Sequence, residues 1–313
     1  MIRYVLRRLL STIPVMLTVA LIVFSILYFS PGDPAALIAG ETATAEDVER
    51  VRHALGLDRP FALQFGSWLW GVLHFDLGNS LFSNMPVSTM IGQRLEPTLS
   101  LMAVTLVFSV LIAVPVGVWA AWRKGGGFDR VTTVIAVVSF SIPVFACGYA
   151  GAWLFALKLG WLPVQGYKPL SGGIVPWFRQ LILPAASLGT AYVALIARIT
   201  RASMLETLDQ DYIRTARAKG LGDGRILFLH ALKNASVPII TIIGIGVAML
   251  IGGAVVTESV FVIPGLGRLT AESILRRDFP VIQGIVLFFS FSYVLVNLLI
   301  DLVYAFVDPR IRY

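Results

Sequence analysis

Runs without Asp, Glu, Lys or Arg alternate along the chain with short polar segments. Six of them, 9–32, 97–122, 131–157, 180–197, 234–257 and 279–300, meet or approach the ~20 apolar residues that cross a hydrocarbon core. The pattern predicts six transmembrane helices. Arg3, Arg7 and Arg8 precede the first run as they would precede a signal peptide. That run is longer than a signal's roughly 7–15 apolar residues, and no small-residue cleavage site follows promptly, so it reads as a retained helix.

Between the first two runs, the 33–96 segment carries its own helical signals. Thr44 and Asp47 form a short capping box, with Val48, Val51 and Leu55 following at helical spacing. Gly56 ends that helix and Pro60 opens the next, whose apolar stripe is Phe61, Phe65, Trp68, Leu69 and Val72. A third segment, 86–95, leads into the second span. Pro14, Pro115, Pro143 and Pro184 fall inside spans, where each removes a backbone donor and permits a kink. Gly244, Ala248 and Gly252 recur every four residues, a smooth ridge suited to close helix packing or to lining a path. After the fifth span, Pro264, Gly265 and Gly267 predict a tight break followed by a short helix through Arg276. Glu258 and Glu272 beside it read as solvated or capping charges. Asn297 and Asp301 lie one turn apart near the end of the sixth span, with Arg7 or Arg8 as structural partners.

Composition supports the membrane reading. Of 313 residues, 57% are hydrophobic and only 14% charged, where a soluble domain carries about a quarter charged. Mean hydropathy is +0.81. With the N-terminus in the cytoplasm, the inner segments collect Arg3, Arg7 and Arg8; Arg123, Lys124 and Arg130; the cations from Arg198 to Lys233; and Arg310 and Arg312. This obeys the positive-inside bias and puts both termini in the cytoplasm. The net charge of +7 is thereby explained by a lipid-facing inner surface, without nucleic acid. Cys147 is the single cysteine, and His53, His74 and His230 are scattered among loops, so neither a disulfide framework nor a metal site is expected. No phosphate-binding loop, G-x-S-x-G elbow or H-E-x-x-H helix occurs. The chain reads as no enzyme and as binding no cofactor itself.

The stretch 211–238, DYIRTARAKGLGDGRILFLHALKNASVP, differs from the greasy chain around it. Asp211 suits the positive end of a helix dipole, Tyr212 to Lys219 continue the helix, and Gly220 stands where a left-handed terminator belongs. Arg225 opens a second helix. A short basic helix between two spans, carrying small Ala216 and Ala218, suits insertion into a partner's groove.

This segment resembles the EAA loop of the membrane subunits of binding-protein-dependent ABC importers. Ala216 matches the loop's second alanine, Gly220 its glycine and Leu232 its leucine; Arg214 and Thr215 replace the first two letters, and His230 and Lys233 replace the isoleucine and proline. DYIRTARAKGL with HALKNA is the form this loop takes in the dipeptide/oligopeptide/nickel permease branch. PGDPA, LGLDRP, DLGNS, ESVFVIPGLGR, RRDFPVIQG and the NLLIDLVYAFVDPRIRY end agree with that branch in order along nearly the whole chain, and the long first outer loop points to its B type.

The resemblance implies an all-α membrane protein of six helices with the type I ABC importer fold, in the bacterial inner membrane. Residues 1–32 would form the N-terminal transmembrane helix and 33–94 an extracytoplasmic helical loop. Residues 95–307 would form the five-helix core with its coupling loop at 205–233, and 308–313 a cytoplasmic tail. It implies a role as a permease for di- and oligopeptides, working with a C-type second permease, one or two cytoplasmic ATPase subunits that bind ATP and Mg, and an extracytoplasmic substrate-binding protein. Asp211, Tyr212, Arg214, Thr215, Ala216, Arg217, Ala218, Lys219 and Gly220 would couple the permease to the ATPases. The competing reading, a self-sufficient secondary transporter or channel, predicts inverted repeats and midplane charges for ion coupling; neither is evident.

Overall fold

A computed structural model describes residues 2–29, 34–39, 43–54 and 56–307. Among them the structure is helical, and the one extended pairing is a single antiparallel bridge between Asn79 and Pro86. The helices are α1 (Ile2–Tyr28), α2 (Pro34–Ala39), α3 (Ala45–Ala54), α4 (Phe61–Leu73), α5 (Val87–Trp122), α6 (Gly127–Ser141) and α7 (Val144–Gly151). They continue with α8 (Ile174–Leu208), α9 (Asp211–Ala218), α10 (Asp223–Arg225), α11 (Leu232–Val260), α12 (Leu266–Arg276) and α13 (Phe279–Val307). π-helical turns extend α7 over Ala152–Lys158 and join α10 to α11 over Ile226–Ala231.

Among the described residues, four helices are long and apolar enough to cross a membrane: Val87–Trp122, Ile174–Leu208, Asp223–Val260 and Phe279–Leu302. Gly127–Ser141 and Val144–Lys158 make a fifth if taken together, but they meet at 103°. The span expected over 131–157, in which Pro143 permits a kink, is therefore sharply bent. Ile142 is extended (φ −93°, ψ 123°), as a residue before proline prefers, and Pro143 offers no N–H to carry the ladder onward. Pro14, Pro115 and Pro184 instead sit within α1, α5 and α8. The charge-free runs predict six spans. The sixth would be α1 (Ile2–Tyr28), in which the described apolar stretch is Leu10–Ser25.

The chain divides into two compact units. In the first (1–95 and 269–294), the segment between α1 and α5 carries its own caps. The Thr44 hydroxyl accepts from the Asp47 amide at 3.3 Å, and the Asp47 carboxylate accepts from the Thr44 amide at 3.0 Å. The Thr44 hydroxyl also donates to that carboxylate at 2.7 Å, which holds the carboxyl below its ordinary pKa. Gly56 terminates α3 at φ +67°. The predicted stripe on α4 faces α1: the rings of Phe61, Phe65 and Trp68 lie 5.3–5.5 Å from that of Phe24. Trp70 and Leu73 face outward. Segment 86–95 leads into the second span as expected, forming the start of α5, one rod of 36 residues. Asp278 ties down the turn before it, accepting from Ser80 Oγ at 2.6 Å and the Leu81 amide at 3.1 Å.

The second unit (96–268 and 295–313) is built around α8 and α11, with α5, α6 and α7 against them. Its larger core joins Leu101, Leu181, Leu188, Ile196, Leu250 and Phe261. Tyr192 buries its ring there and donates its hydroxyl to the Ile243 carbonyl at 2.5 Å, satisfying a polar group that would otherwise be costly inside an apolar bundle. Asp301 is half-buried, and the side chains of Arg7 and Arg8, its expected partners, lie outside the described residues.

The break between α11 and α12 differs from the expectation. Glu258 is fully buried, contrary to the solvated reading. Its carboxylate accepts from Thr98 Oγ1 at 2.6 Å and from the Arg268 amide in the first turn of α12 at 2.9 Å. Thr98 Oγ1 in turn accepts from the Leu266 amide at 2.7 Å. An acceptor at a helix start serves the orphan amides there and complements the dipole, so the capping part of the reading holds. The break is made by Val262 at φ +53°, an uncommon conformation for a β-branched residue, with the Ile263 amide donating to the Glu258 carbonyl at 2.9 Å. Gly265 and Gly267 are needed for space. A Cβ on Gly265 would overlap the Glu258 carboxylate, and one on Gly267 would lie 2.6 Å from the Val255 Cα.

Candidate coupling site

α8 runs well past its apolar stretch and ends at Leu208, where Asp209 and Gln210 turn the chain into α9. α9 is eight residues long. At 1.5 Å per residue it spans ~12 Å, too short to persist alone in water. Ile213, which the loop's charge pattern obscured, is what holds it. Its side chain is fully buried among Val118, Met204, Ile226, Ala231 and Ile239, from α5, α8 and the start of α11.

Every member of the predicted set faces outward or is partly covered. Asp211, Tyr212, Arg214, Thr215, Arg217, Ala218, Lys219 and Gly220 are exposed, and Ala216 is intermediate. Asp211 lies in the first turn, as its charge favours, and meets Arg214 at 3.3 Å. That pair is largely solvated and adds little. Thr215 donates to the Asp211 carbonyl at 3.0 Å. Burial of its ring edge raises the Tyr212 phenol above the ordinary tyrosine value, opposed by a hydrogen bond to Asn234. The Arg217 guanidinium lies 5.5 Å from the centre of the Trp122 ring at the end of α5.

The helix closes in a Schellman turn. The Gly220 amide donates to the Arg217 carbonyl at 2.9 Å, and the Leu221 amide to Ala216 at 3.2 Å. Gly220 stands at φ +75° with open space where a Cβ would be. Conformation alone requires glycine there. Phe228 and Leu229, 63% and 61% exposed, extend the outward surface with apolar area that the charge pattern did not reveal. The result is a short basic helix pinned by one isoleucine, presenting cations, small residues and an apolar edge. Nothing in it has the chemistry of catalysis. Among the described residues no group of three or more His, Cys, Asp and Glu side chains could hold a metal.

The expected glycine ridge on α11 is split. A Cβ on Gly244 would overlap Ile300 of α13; Ala248 is partly buried; Gly252 is exposed with nothing within 4 Å. The closest approach to α8 uses Gly246, against the Tyr192 ring, and Gly253, whose Cβ would lie 2.6 Å from Leu188. Their i, i+7 spacing is also a one-face signal, and it was available in the sequence.

Comparison with known proteins identifies the family of the chain. The family model for the binding-protein-dependent transport system inner membrane component matches residues 113–313, and the model for that family's N-terminal part matches 1–102. A protein of Sinorhizobium fredii named "probable peptide ABC transporter permease protein" is 51% identical over 99% of both chains. A glutathione transport system permease protein of Salmonella choleraesuis is 42% identical over 100% of both. The solved methionine ABC transporter MetNI, in an inward-facing conformation, contains a chain with the same fold at TM-score 0.59 and 18% identity, covering 70% of this chain and 96% of that one. The chain is therefore a multi-pass membrane protein that belongs to the family of binding-protein-dependent transport system inner membrane components.

Proposed function

We propose that this chain is a permease subunit of an ATP-driven importer for di- and oligopeptides, coupled to its ATPases through α9. The observation that carries the reading is α9 itself: a helix too short to stand alone, anchored by Ile213, with all its charge turned outward. A plain basic loop needs neither the buried anchor nor the closed turn at Gly220. In this reading α1 and the bent α6–α7 pair complete six spans, both termini are cytoplasmic, and 33–94 lies outside as the face that meets a substrate-binding protein. A C-type permease supplies the other half of the path, and one or two ATPase subunits hold ATP and Mg. The peptide and glutathione transport of the relatives supports a peptide substrate.

Reconstitution tests it. Vesicles holding both permeases, the ATPases and the binding protein should take up labelled dipeptide only with ATP inside the ATPase compartment. Vesicles holding this chain alone should take up none, with or without an ion gradient. Gradient-driven uptake by the single chain would support the secondary-transporter reading and refute this one.

A further inference from the structure

A cavity of about 450 Å³ lies between α5, α6 and α8, away from the coupling site. Gly117, Ala136, Val137 and Phe140 line its apolar part, and Arg198 and Arg201 enter it from α8. The two arginines stand one turn apart and differ in their partners. Arg201 forms a two-pronged ion pair with Asp129, one prong at 2.8 Å, and the Asp129 carboxylate is buried and also accepts from the Gly125 amide at 2.9 Å. Arg198 is exposed, makes no salt bridge among the described residues, and holds its guanidinium 5.6 Å from the centre of the Phe140 ring. Phe140 is eleven residues beyond Asp129 on α6, about 16 Å along the axis, so Arg198 reaches toward the apolar end while Arg201 reaches toward the polar one. A cation so placed calls for an anion.

The lining narrows what that anion belongs to. The Thr132, Thr133 and Ser141 hydroxyls each donate to a carbonyl of their own helix, at 2.8–3.1 Å. The nearest carboxylate, Asp129, is engaged by Arg201. A peptide's ammonium group would find no carboxylate among the lining residues, only hydroxyl lone pairs, whereas an anionic head on an apolar body matches both ends. We infer that the cavity is a binding site for an anionic phospholipid, its phosphate on Arg198 and its chain against Val137 and Phe140. With the orientation proposed above, this lipid belongs to the cytoplasmic leaflet, where basic pockets between helices take up such headgroups.

The full chain, purified and equilibrated with equal phosphatidylglycerol and phosphatidylcholine, tests this by native mass spectrometry of the retained lipid. The wild-type chain should favour phosphatidylglycerol about fivefold or more, the worth of one basic residue at an anionic surface. Arg198→Gln should lose that preference, Arg198→Lys should keep most of it, and Lys124→Gln, outside the cavity, should match wild type. Equal preference in wild type and Arg198→Gln would overturn the site, as would equal loss in Lys124→Gln. Two further arms address other anions. Displacement of the lipid by a dipeptide but not by its C-terminal amide would reassign Arg198 to cargo. Loss of the lipid on assembly with the second permease would reassign it to a subunit contact. Either outcome refutes the lipid site.

Discussion

Ile213→Asp should release α9 and silence the importer while leaving the chain in the membrane. The side chain is fully enclosed by apolar neighbours, so a carboxylate there would be desolvated without a partner. Truncating a buried isoleucine already costs about 2–5 kcal/mol. The loop escapes the larger cost of a buried charge by detaching, because its remaining residues face water and its eight-residue helix melts once undocked. Each 1.4 kcal/mol is tenfold in the opening equilibrium, so at least about 30-fold more open loop is expected. Arg214, Arg217 and Lys219 are exposed trypsin sites within it. Limited tryptic cleavage in this loop should accelerate accordingly, co-purification of the ATPases should fail, and membrane insertion should remain. Wild-type cleavage rates with intact ATPase association would show that Ile213 is no anchor.

Glu258→Ala should be the more damaging change for the fold itself. It removes the acceptor of the Thr98 hydroxyl and the Arg268 amide and opens a void beneath Gly265 and Gly267. Leaving each buried donor unmet costs about 1–3 kcal/mol, so a loss of about 3 kcal/mol or more is expected. Glu258→Gln keeps the volume and one carbonyl for the Arg268 amide, and should recover part of that loss. Thermal unfolding in detergent orders the variants: wild type highest, glutamine intermediate, alanine lowest. An alanine variant as stable as wild type would mean that the network carries no weight.

The parts of this molecule legible in its sequence are those decided within a few residues. The capping box at Thr44 and Asp47 closes over three residues, and the left-handed end at Gly220 over four, so residue type and spacing suffice. The positions of the spans follow from apolar runs. What escaped reading depends on distant neighbours. Ile213 is a lone apolar residue in a basic segment, and only the convergence of α5, α8 and α11 makes it an anchor. Glu258 resembles any loop acid until Thr98, 160 positions away, arrives beside it. The Asp129–Arg201 pair, 72 positions apart, had no local signature either. At Pro143 the break was readable but not its size, since a proline in a span permits a kink or a full turn and packing against α8 selects between them.

The central claim is that α9 transmits force between ATPase and membrane helices, and substrate-stimulated ATP hydrolysis by the reconstituted importer tests it most directly. Two substitutions leave the Ile213 anchor in place. Gly220→Val forces a β-branched residue into φ +75°, a strain of more than about 1–2 kcal/mol, although the space beside it is open. Ala216→Trp adds bulk to the outward side that would meet the groove. At matched protein levels, and with insertion and thermal stability near wild type, both variants should lose stimulation by substrate-loaded binding protein. Near-normal stimulated hydrolysis in both would contradict the account.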